Sequence, residues 1–392
     1  MGTWTQVPAG EGDALGALRR LLRDLLEKGL VDALLVPRPG PAGDSLVAVL
    51  TDRAETLDRA DPVAPVMPVQ SARIVAALTG GGAPYRLGAV LKACELRATV
   101  ELAKLKQVDL SGVVLIGVDC LGTYEVSDYA GLVAAGHDPT ARALEAAAAG
   151  QVAPTGGAQF RVACQMCEQP LPFAGGPRGL SGGAVEREGQ GATVGGWLQV
   201  ALLGTEGQVL VGGAEELLGA LGYPAAPLPA AREQAVRALL EARTATCDRL
   251  LGQARERLCD GAGLINELSR CIRCHNCMVN CPICYCKECI FRTATFDHPP
   301  AQYRTWLRRR GTVRLPADTL LFHLTRLNHM ATSCVGCGLC SSACPVGLPV
   351  ATIFRAVAGE VQALFGYVPG RSLDDELPLA TFREDELPGV GR

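Results

Sequence analysis

The chain has 392 residues, with 37 Lys and Arg against 40 Asp and Glu for a net charge of −3, and it is 48% hydrophobic and 20% charged. That length predicts two or three domains with ample core, while charge and composition exclude a strongly basic nucleic-acid binder and a mostly disordered chain. No apolar run approaches the roughly 20 residues that span a bilayer, and MGTWTQVPAGEGD lacks the basic-then-apolar order of a signal peptide, so a cytoplasmic protein is expected.

In chain order, Asp13 is placed to cap a helix running to Lys28, with Leu15, Leu18, Leu22, Leu25 and Leu26 on one face and Gly29 as its stop. Apolar runs Val31–Val36 and Leu46–Leu50 read as strands around the turn-rich PRPGPAGD. A short helical stretch follows near Ser71–Leu78. Leu87–Leu91, Glu95–Lys106 and Val113–Val118 then form a strand–helix–strand unit, whose right-handed crossover makes the two strands adjacent and parallel. Each strand ends in a cysteine, Cys94 or Cys120. Ligands gather at the carboxyl ends of strands in open parallel sheets, so the two are expected to face one crevice.

Residues 130–150 read as helix and lead to Cys164-Gln-Met-Cys167. A lone C-x2-C is a weak signal. Cys94, Cys120, Cys164 and Cys167 are, however, the only cysteines in the first 246 residues, and they make a complete set of four. They are predicted to hold a [4Fe–4S] cluster; zinc on the same thiolates and unligated thiols are the alternatives. The Gly- and Ala-rich stretch from 170 to 230 carries strand candidates Trp197–Leu203 and Val209–Val211, and the pattern turns helical from Ala231 to Cys271.

Eleven of the 17 cysteines fall between Cys271 and Cys344. In a reducing compartment, cysteines spaced two residues apart suit metals better than disulfides. Two runs read C-x2-C-x2-C-x3-C-P: Cys271, Cys274, Cys277, Cys281 with Pro282, and Cys334, Cys337, Cys340, Cys344 with Pro345. This is the bacterial ferredoxin pattern for [4Fe–4S] clusters, in which the fourth cysteine serves the other cluster. One cluster is therefore assigned to Cys271, Cys274, Cys277 and Cys344, and the other to Cys334, Cys337, Cys340 and Cys281. Zinc favours pairs rather than triplets plus one. The fourth cysteine is expected to open a helix, whose first turn the following proline tolerates.

Cys284, Cys286 and Cys289 extend the first run. They are read either as packed thiols or as a further metal site completed by Cys247, Cys259 or His275. Both runs being complete, His323 and His329 are read as packing or hydrogen-bonding residues. Tyr303–Arg310 reads as a solvated surface meeting an acidic partner or a cofactor phosphate. Asp318–Met330 is a predicted helix that delivers the second run, and Val350, Ile353, Phe354, Val357, Val361 and Leu364 mark an amphipathic helix after Pro349.

The phrases LLEKGLVDALLVP (Leu25–Pro37), KACELRATVELAKLKQ (Lys92–Gln107), LIGVDCLGTYE (Leu115–Glu125), ACQMCEQP (Ala163–Pro170) and CIRCHNCMVNCPICYCKEC (Cys271–Cys289) resemble the β subunit of formate dehydrogenase, itself related to the β subunit of the deazaflavin-reducing hydrogenase of methanogens. The resemblance runs from roughly residue 14 to 365. It implies an FAD on the α/β part, a cluster near that flavin matching Cys94, Cys120, Cys164 and Cys167, and assembly with a catalytic subunit of formate dehydrogenase, hydrogenase or disulfide-reductase type. Methanogen members show a Gly-Gly-rich opening where this chain reads AGEGDALGAL, so deazaflavin is not carried over as substrate. No G-x-G-x-x-G follows a strand, so no flavin contact is named.

The expected architecture is an α/β flavin-type domain followed by a mainly helical dicluster ferredoxin-like domain. Residues 1–155 form the α/β domain, 156–245 a second lobe carrying Cys164 and Cys167, 246–366 the cluster domain, and 367–392 a tail lying on the surface or on a partner. The expected role is an oxidoreductase subunit that couples two-electron flavin chemistry, including exchange with a soluble carrier, to one-electron transfer. The alternative is a flavin-free iron–sulfur wire between two catalytic partners.

Overall fold

Period-two apolar strands and amphipathic helices build one mixed sheet with a helical half docked on it. The computed structural model describes residues 4–10, 12–172, 184–187, 190–194 and 196–380. Its strands are β1 (Trp4–Gln6), β2 (Ala33–Pro39), β3 (Leu46–Thr51), β4 (Leu87–Lys92), β5 (Val113–Val118), β6 (Ala184–Arg187), β7 (Gln190–Val194), β8 (Gly196–Ala201) and β9 (Leu210–Gly213). Seven of them form a sheet in the order β1-β9-β8-β5-β4-β2-β3, and β6 and β7 make a separate hairpin. The neighbours β2, β4, β5 and β8 run parallel; β3, β9 and β1 join antiparallel at the two sides.

The predicted strand–helix–strand unit is present, with Leu87 opposite Val113 and Lys92 opposite Val118. Every residue of β4 and β5 is buried, as central parallel strands covered on both faces require. Alternate side chains go to opposite cores. Val114, Ile116 and Val118 pack with the leucines of α1 (Ala14–Glu27). Val113 and Leu115 pack with α2 (Ser71–Thr79) and α3 (Ala93–Lys104). Helix α3 starts two residues earlier than its sequence suggests. The Glu95 carboxylate accepts from the N–H groups of Lys92 and Ser71, at 2.9 Å each, and so caps the turn. Cys94 therefore sits in the first turn of the helix rather than at the strand's tip.

Then come α4 (Val126–Ala134), α5 (Pro139–Ala148), the one-turn α6 (Val162–Gln165), α7 (Glu215–Leu221) and the 28-residue α8 (Ala230–Arg257). Segment 156–245 gives β8 and β9 to the same sheet, and a boundary at 245 falls inside α8. The helical half continues through α9 (Gly261–Glu267), α10 (Asn276–Val279), α11 (Pro300–Arg310), α12 (Thr319–Met330), α13 (Leu339–Ser342) and α14 (Val350–Leu364). Among the described residues no helix is long and apolar enough to cross a membrane.

The beginning of the tail lies on its own chain. Glu101 of α3 is fully buried, and its carboxylate accepts from Tyr367 Oη at 2.5 Å and from the Gly370 N–H at 2.7 Å. Arg97 Nε donates to Pro369 O at 2.8 Å. A buried carboxylate needs such donors, and they clasp residues 367–370 onto α3. Of the expected surface tail, residues 381–392 lie outside the described residues.

Candidate metal centres

The two ferredoxin-type runs share one backbone form. In the first, Arg273 and His275 adopt φ of 53° and 64°; at the equivalent places in the second, Gly336 and Gly338 adopt 71° and 79°. These left-handed residues curl each loop, and a one-turn helix, α10 or α13, follows in both runs. The curl turns main-chain N–H groups onto sulfur: Arg273 N donates to Cys271 Sγ at 3.3 Å. Leu348 N donates to Cys344 Sγ at 3.4 Å. Contrary to expectation, the fourth cysteine does not open a helix. Pro282 and Pro345 open turns, and α14 begins only at Val350. Each fourth cysteine comes just after the short helix, and the turn begun by its proline ends that direction of the chain.

The two runs meet through α10 and α13. Cys271 and Cys277 feel the charges of Cys274 and of Cys344, which comes from the other run. Cys281 feels Cys337, and Cys340 feels Cys337 and Cys334. One neighbourhood is thus Cys271, Cys274, Cys277 with Cys344; in the other, Cys334, Cys337 and Cys340 meet Cys281 at Cys337, while Cys281 is paired foremost with Cys284. Cys277 also acts on Cys340, so the two quartets adjoin.

The four N-terminal cysteines form a third neighbourhood at the carboxyl ends of β4 and β5. Cys94 feels Cys120 and Cys167, and Cys120 feels Cys164 and Cys167. Cys120 is tied to the Cys164 segment by its N–H to Pro170 O, 2.9 Å. The second run lies against this site: Cys94 also feels Cys337. A Cβ on Gly338 would overlap the methyl of Ala163, next to Cys164. Val335 enters the core formed by Leu91 and Leu96.

Burial pushes the thiols of Cys94 and Cys340 up, and those of Cys120 and Cys277 to about 11. Cys164 is the exception. Burial opposes its ionisation, but the Arg161 guanidinium and a 3.1 Å contact with Thr123 Oγ1 outweigh it, and its pKa falls. Cys281 and Cys284 share a hydrogen bond that raises the first and lowers the second to about 6.

These surroundings suit iron–sulfur clusters. Buried thiols that resist ionisation are what a thiophilic metal deprotonates on binding. Beside the first quartet, three buried donors or acceptors lack any partner: Arg326 Nε, His275 Nε2 and His323 Nδ1. Among the described residues no three His, Cys, Asp or Glu side chains converge as they would around a single ion.

The remaining candidates are scattered. Cys284 and Cys289 place their sulfurs 3.7 Å from Met330 Sδ and Met278 Sδ, and Cys286 is exposed; with His329 they line a cavity of about 380 Å³. Cys247 is buried 3.6 Å from Glu168 Oε2, beside Met166, and Cys259 is exposed. His275 packs tilted against Phe322, with ring centroids 4.9 Å apart. His323 Nε2 lies 3.3 Å from Cys271 Sγ, so this histidine touches a candidate ligand sulfur.

Two residues were not singled out from sequence. Arg326 is 3% exposed and donates to Cys277 Sγ at 3.1 Å and to Cys277 O at 3.0 Å. Arg161 is 5% exposed and donates to Thr123 Oγ1 at 2.8 Å, to Ser342 Oγ at 3.4 Å and to Cys164 Sγ at 3.8 Å. A signal for the first existed: Arg326 shares the buried face of α12 with Phe322 and Met330 at four-residue spacing, where the pattern calls for an apolar side chain.

A cavity of about 290 Å³ borders Cys167 and is lined by Arg97, Glu168, Arg355, Gln362 and Tyr367. Small-molecule sites run from about 300 to 1,000 Å³. The enclosed space is thus too small to take in a whole dinucleotide such as FAD by itself.

The 4Fe-4S dicluster domain family matches residues 267–348. The F420-dependent formate dehydrogenase subunit beta of Methanocaldococcus jannaschii is 27% identical over 388 residues, covering 93% of this chain and 93% of that protein. The F420-dependent formate dehydrogenase 1 subunit beta of Methanococcus maripaludis is 27% identical over 395 residues, covering 94% of each. A chain of the F420-reducing [NiFe] hydrogenase complex from Methanosarcina barkeri, solved as a xenon derivative, superposes with a TM-score of 0.44 at 13% identity, over 65% of this chain and 92% of that one, too loosely to carry an argument.

Proposed function

We propose that this chain, similar along almost its whole length to formate dehydrogenase β subunits, is the iron–sulfur electron-transfer subunit of a multi-subunit oxidoreductase of formate dehydrogenase or hydrogenase type. It would hold three [4Fe–4S] clusters: one on Cys271, Cys274, Cys277 and Cys344, one on Cys334, Cys337, Cys340 and Cys281, and one on Cys94, Cys120, Cys164 and Cys167. When bound, such clusters supply one-electron transfer at potentials anywhere between about −700 and +450 mV.

The observation that carries this reading is the order of the three quartets. The third adjoins the second through Cys94 and Cys337, and the second adjoins the first through Cys340 and Cys277. The ends of the row differ. At the first quartet Cys274 is exposed and Ile272 is 56% exposed, as a contact with a partner subunit needs. The third is set into the crevice of the sheet. Between the ends, this chain's residues fix spacing and exclude water. Gly338 against Ala163 holds the second run on the sheet, and Phe322, Ile353 and Phe354 pack round the first two quartets.

An FAD on the α/β half, exchanging electrons with a soluble carrier, is the finer part of the proposal and rests on the sequence resemblance. The second reading is a flavin-free wire between two catalytic partners. One anaerobic preparation tests both points. About twelve irons per chain, with matching acid-labile sulfide, is the expected result, and about eight removes the third cluster. Flavin released by acid supports the flavoprotein; a well-folded, iron-replete sample releasing none leaves the wire.

A further inference from the structure

Each gap between neighbouring quartets contains a buried guanidinium within reach of cysteine sulfur; part-buried Arg97, which donates to Val335 O and acts on Cys167 and Cys94, is a further cation beside the third quartet. Arg326 of α12 lies at the first gap. It donates to Cys277 Sγ and Cys277 O of the first quartet, and its charge also acts on Cys281 of the second. Arg161, at the N-terminus of α6, lies at the other gap. It reaches Cys164 Sγ of the third quartet and Ser342 Oγ in the second run, and its charge acts on Cys94 and Cys337. Among the described residues neither has a carboxylate within 4 Å. The acid nearest in effect is Glu125, which acts on Arg161 and accepts from Ser342 Oγ at 3.1 Å. Arg326 instead lies against the rings of Phe354 and Phe322, at 5.0 and 5.5 Å from their centroids, and its Nε has no partner.

A buried cation without a carboxylate is costly unless other negative charge compensates it. At both places cysteine sulfur from two different quartets supplies facing negative charge, joined at Arg326 by Cys284 and at Arg161 by Glu125. We propose that Arg326 and Arg161 are potential-setting residues, each raising the reduction potentials of the two metal centres on either side of it. The inference rests on the three-cluster reading. The physical reason is charge: gaining one electron makes a thiolate-bound centre more negative, and a fixed positive charge in a water-free gap favours that state. The guanidinium keeps its protons throughout, so one electron moves and no atom is transferred. Each arginine thereby acts on a pair of centres rather than on one.

The test is a redox titration followed by electron paramagnetic resonance on the anaerobically purified full-length holoprotein, with iron counted in every sample. Arg326→Gln should lower the potentials of the first and second centres and leave the third unmoved. Arg161→Gln should lower the second and third and leave the first. Glutamine keeps N–H donors and removes the charge; the expected shift is about tenfold in the reduced-to-oxidised ratio at fixed potential, or ~59 mV for one electron. Arg326→Lys and Arg161→Lys should stay near the parent, and Arg308→Met on exposed α11 should change nothing. Should a glutamine variant lose iron, the comparison of Lys with parent decides: a Lys variant shifted as far as tenfold overturns the role of charge. Parent-like potentials in iron-replete Gln variants, or equal shifts of all three centres, also overturn the inference. A parent with about eight irons, by contrast, defeats the three-cluster reading, while the Arg326 arm still tests its own gap.

Discussion

Arg273 and His275 hold left-handed backbone angles that their second-run counterparts obtain from Gly336 and Gly338. A side chain in that region costs about 1–2 kcal/mol, and the first run offsets this with contacts: Arg273 pairs with Asp318 and His275 packs against Phe322. Gly338 lacks that option because Ala163 fills the space where its Cβ would be. Gly338→Ala should combine the backbone cost with overpacking of about 1–3 kcal/mol, lowering the unfolding temperature and loosening the second run from the sheet. Gly336→Ala should cost less, since a Cβ there meets the Arg355 Cδ at 3.1 Å, part of a flexible side chain. Calorimetry on both variants checks this, and equal losses would contradict the close approach at Ala163.

At the scale of elements, β5, the end of β8 and α8 are joined by one buried ion pair. Asp119, just after β5, accepts from the N–H groups of Leu202 and Leu203 at 2.9 and 3.1 Å and pairs with Arg232 of α8 at 2.6 Å. Removing one partner of a buried pair costs about 3–5 kcal/mol. Asp119→Ala should therefore lose about that much in urea unfolding, while the double variant Asp119→Ala with Arg232→Ala should lose less than the sum. Strict additivity would show that the pair does not couple the two elements. Helix α3 plays a similar joining part, carrying Cys94 in its first turn and anchoring residues 367–370 through Glu101.

For the whole molecule, the proposed crossed ligation would make the cluster half a single unit, since each quartet would take cysteines from both runs. Cys274→Ser should lower iron by about four atoms or more and destabilise the entire helical half. The seven-stranded sheet, whose cores are leucine and valine on both faces, should persist. Limited proteolysis should cut preferentially between α9 and α14 in the variant. Normal iron and an unchanged unfolding temperature would count against the crossing. Cys94→Ser should remove one cubane's worth of iron and leave the signals of the other two centres intact.

Local patterns determined much of this protein. The C-x2-C-x2-C-x3-C-P runs carry their chemistry in spacing alone, and the β4–α3–β5 unit follows from apolar period and crossover handedness, because neighbouring residues suffice to write both. Tertiary structure decided what depends on residues far apart in the chain. The burial of residues 367–370 hangs on Glu101, more than 260 residues away. The inclusion of β8 and β9 in one sheet with β1 needs pairings that no local period encodes. The two guanidiniums were hidden for the same reason: an arginine reads as surface until packing shows it buried, and what faces Arg326 and Arg161 is chiefly sulfur brought together from separate segments by the fold.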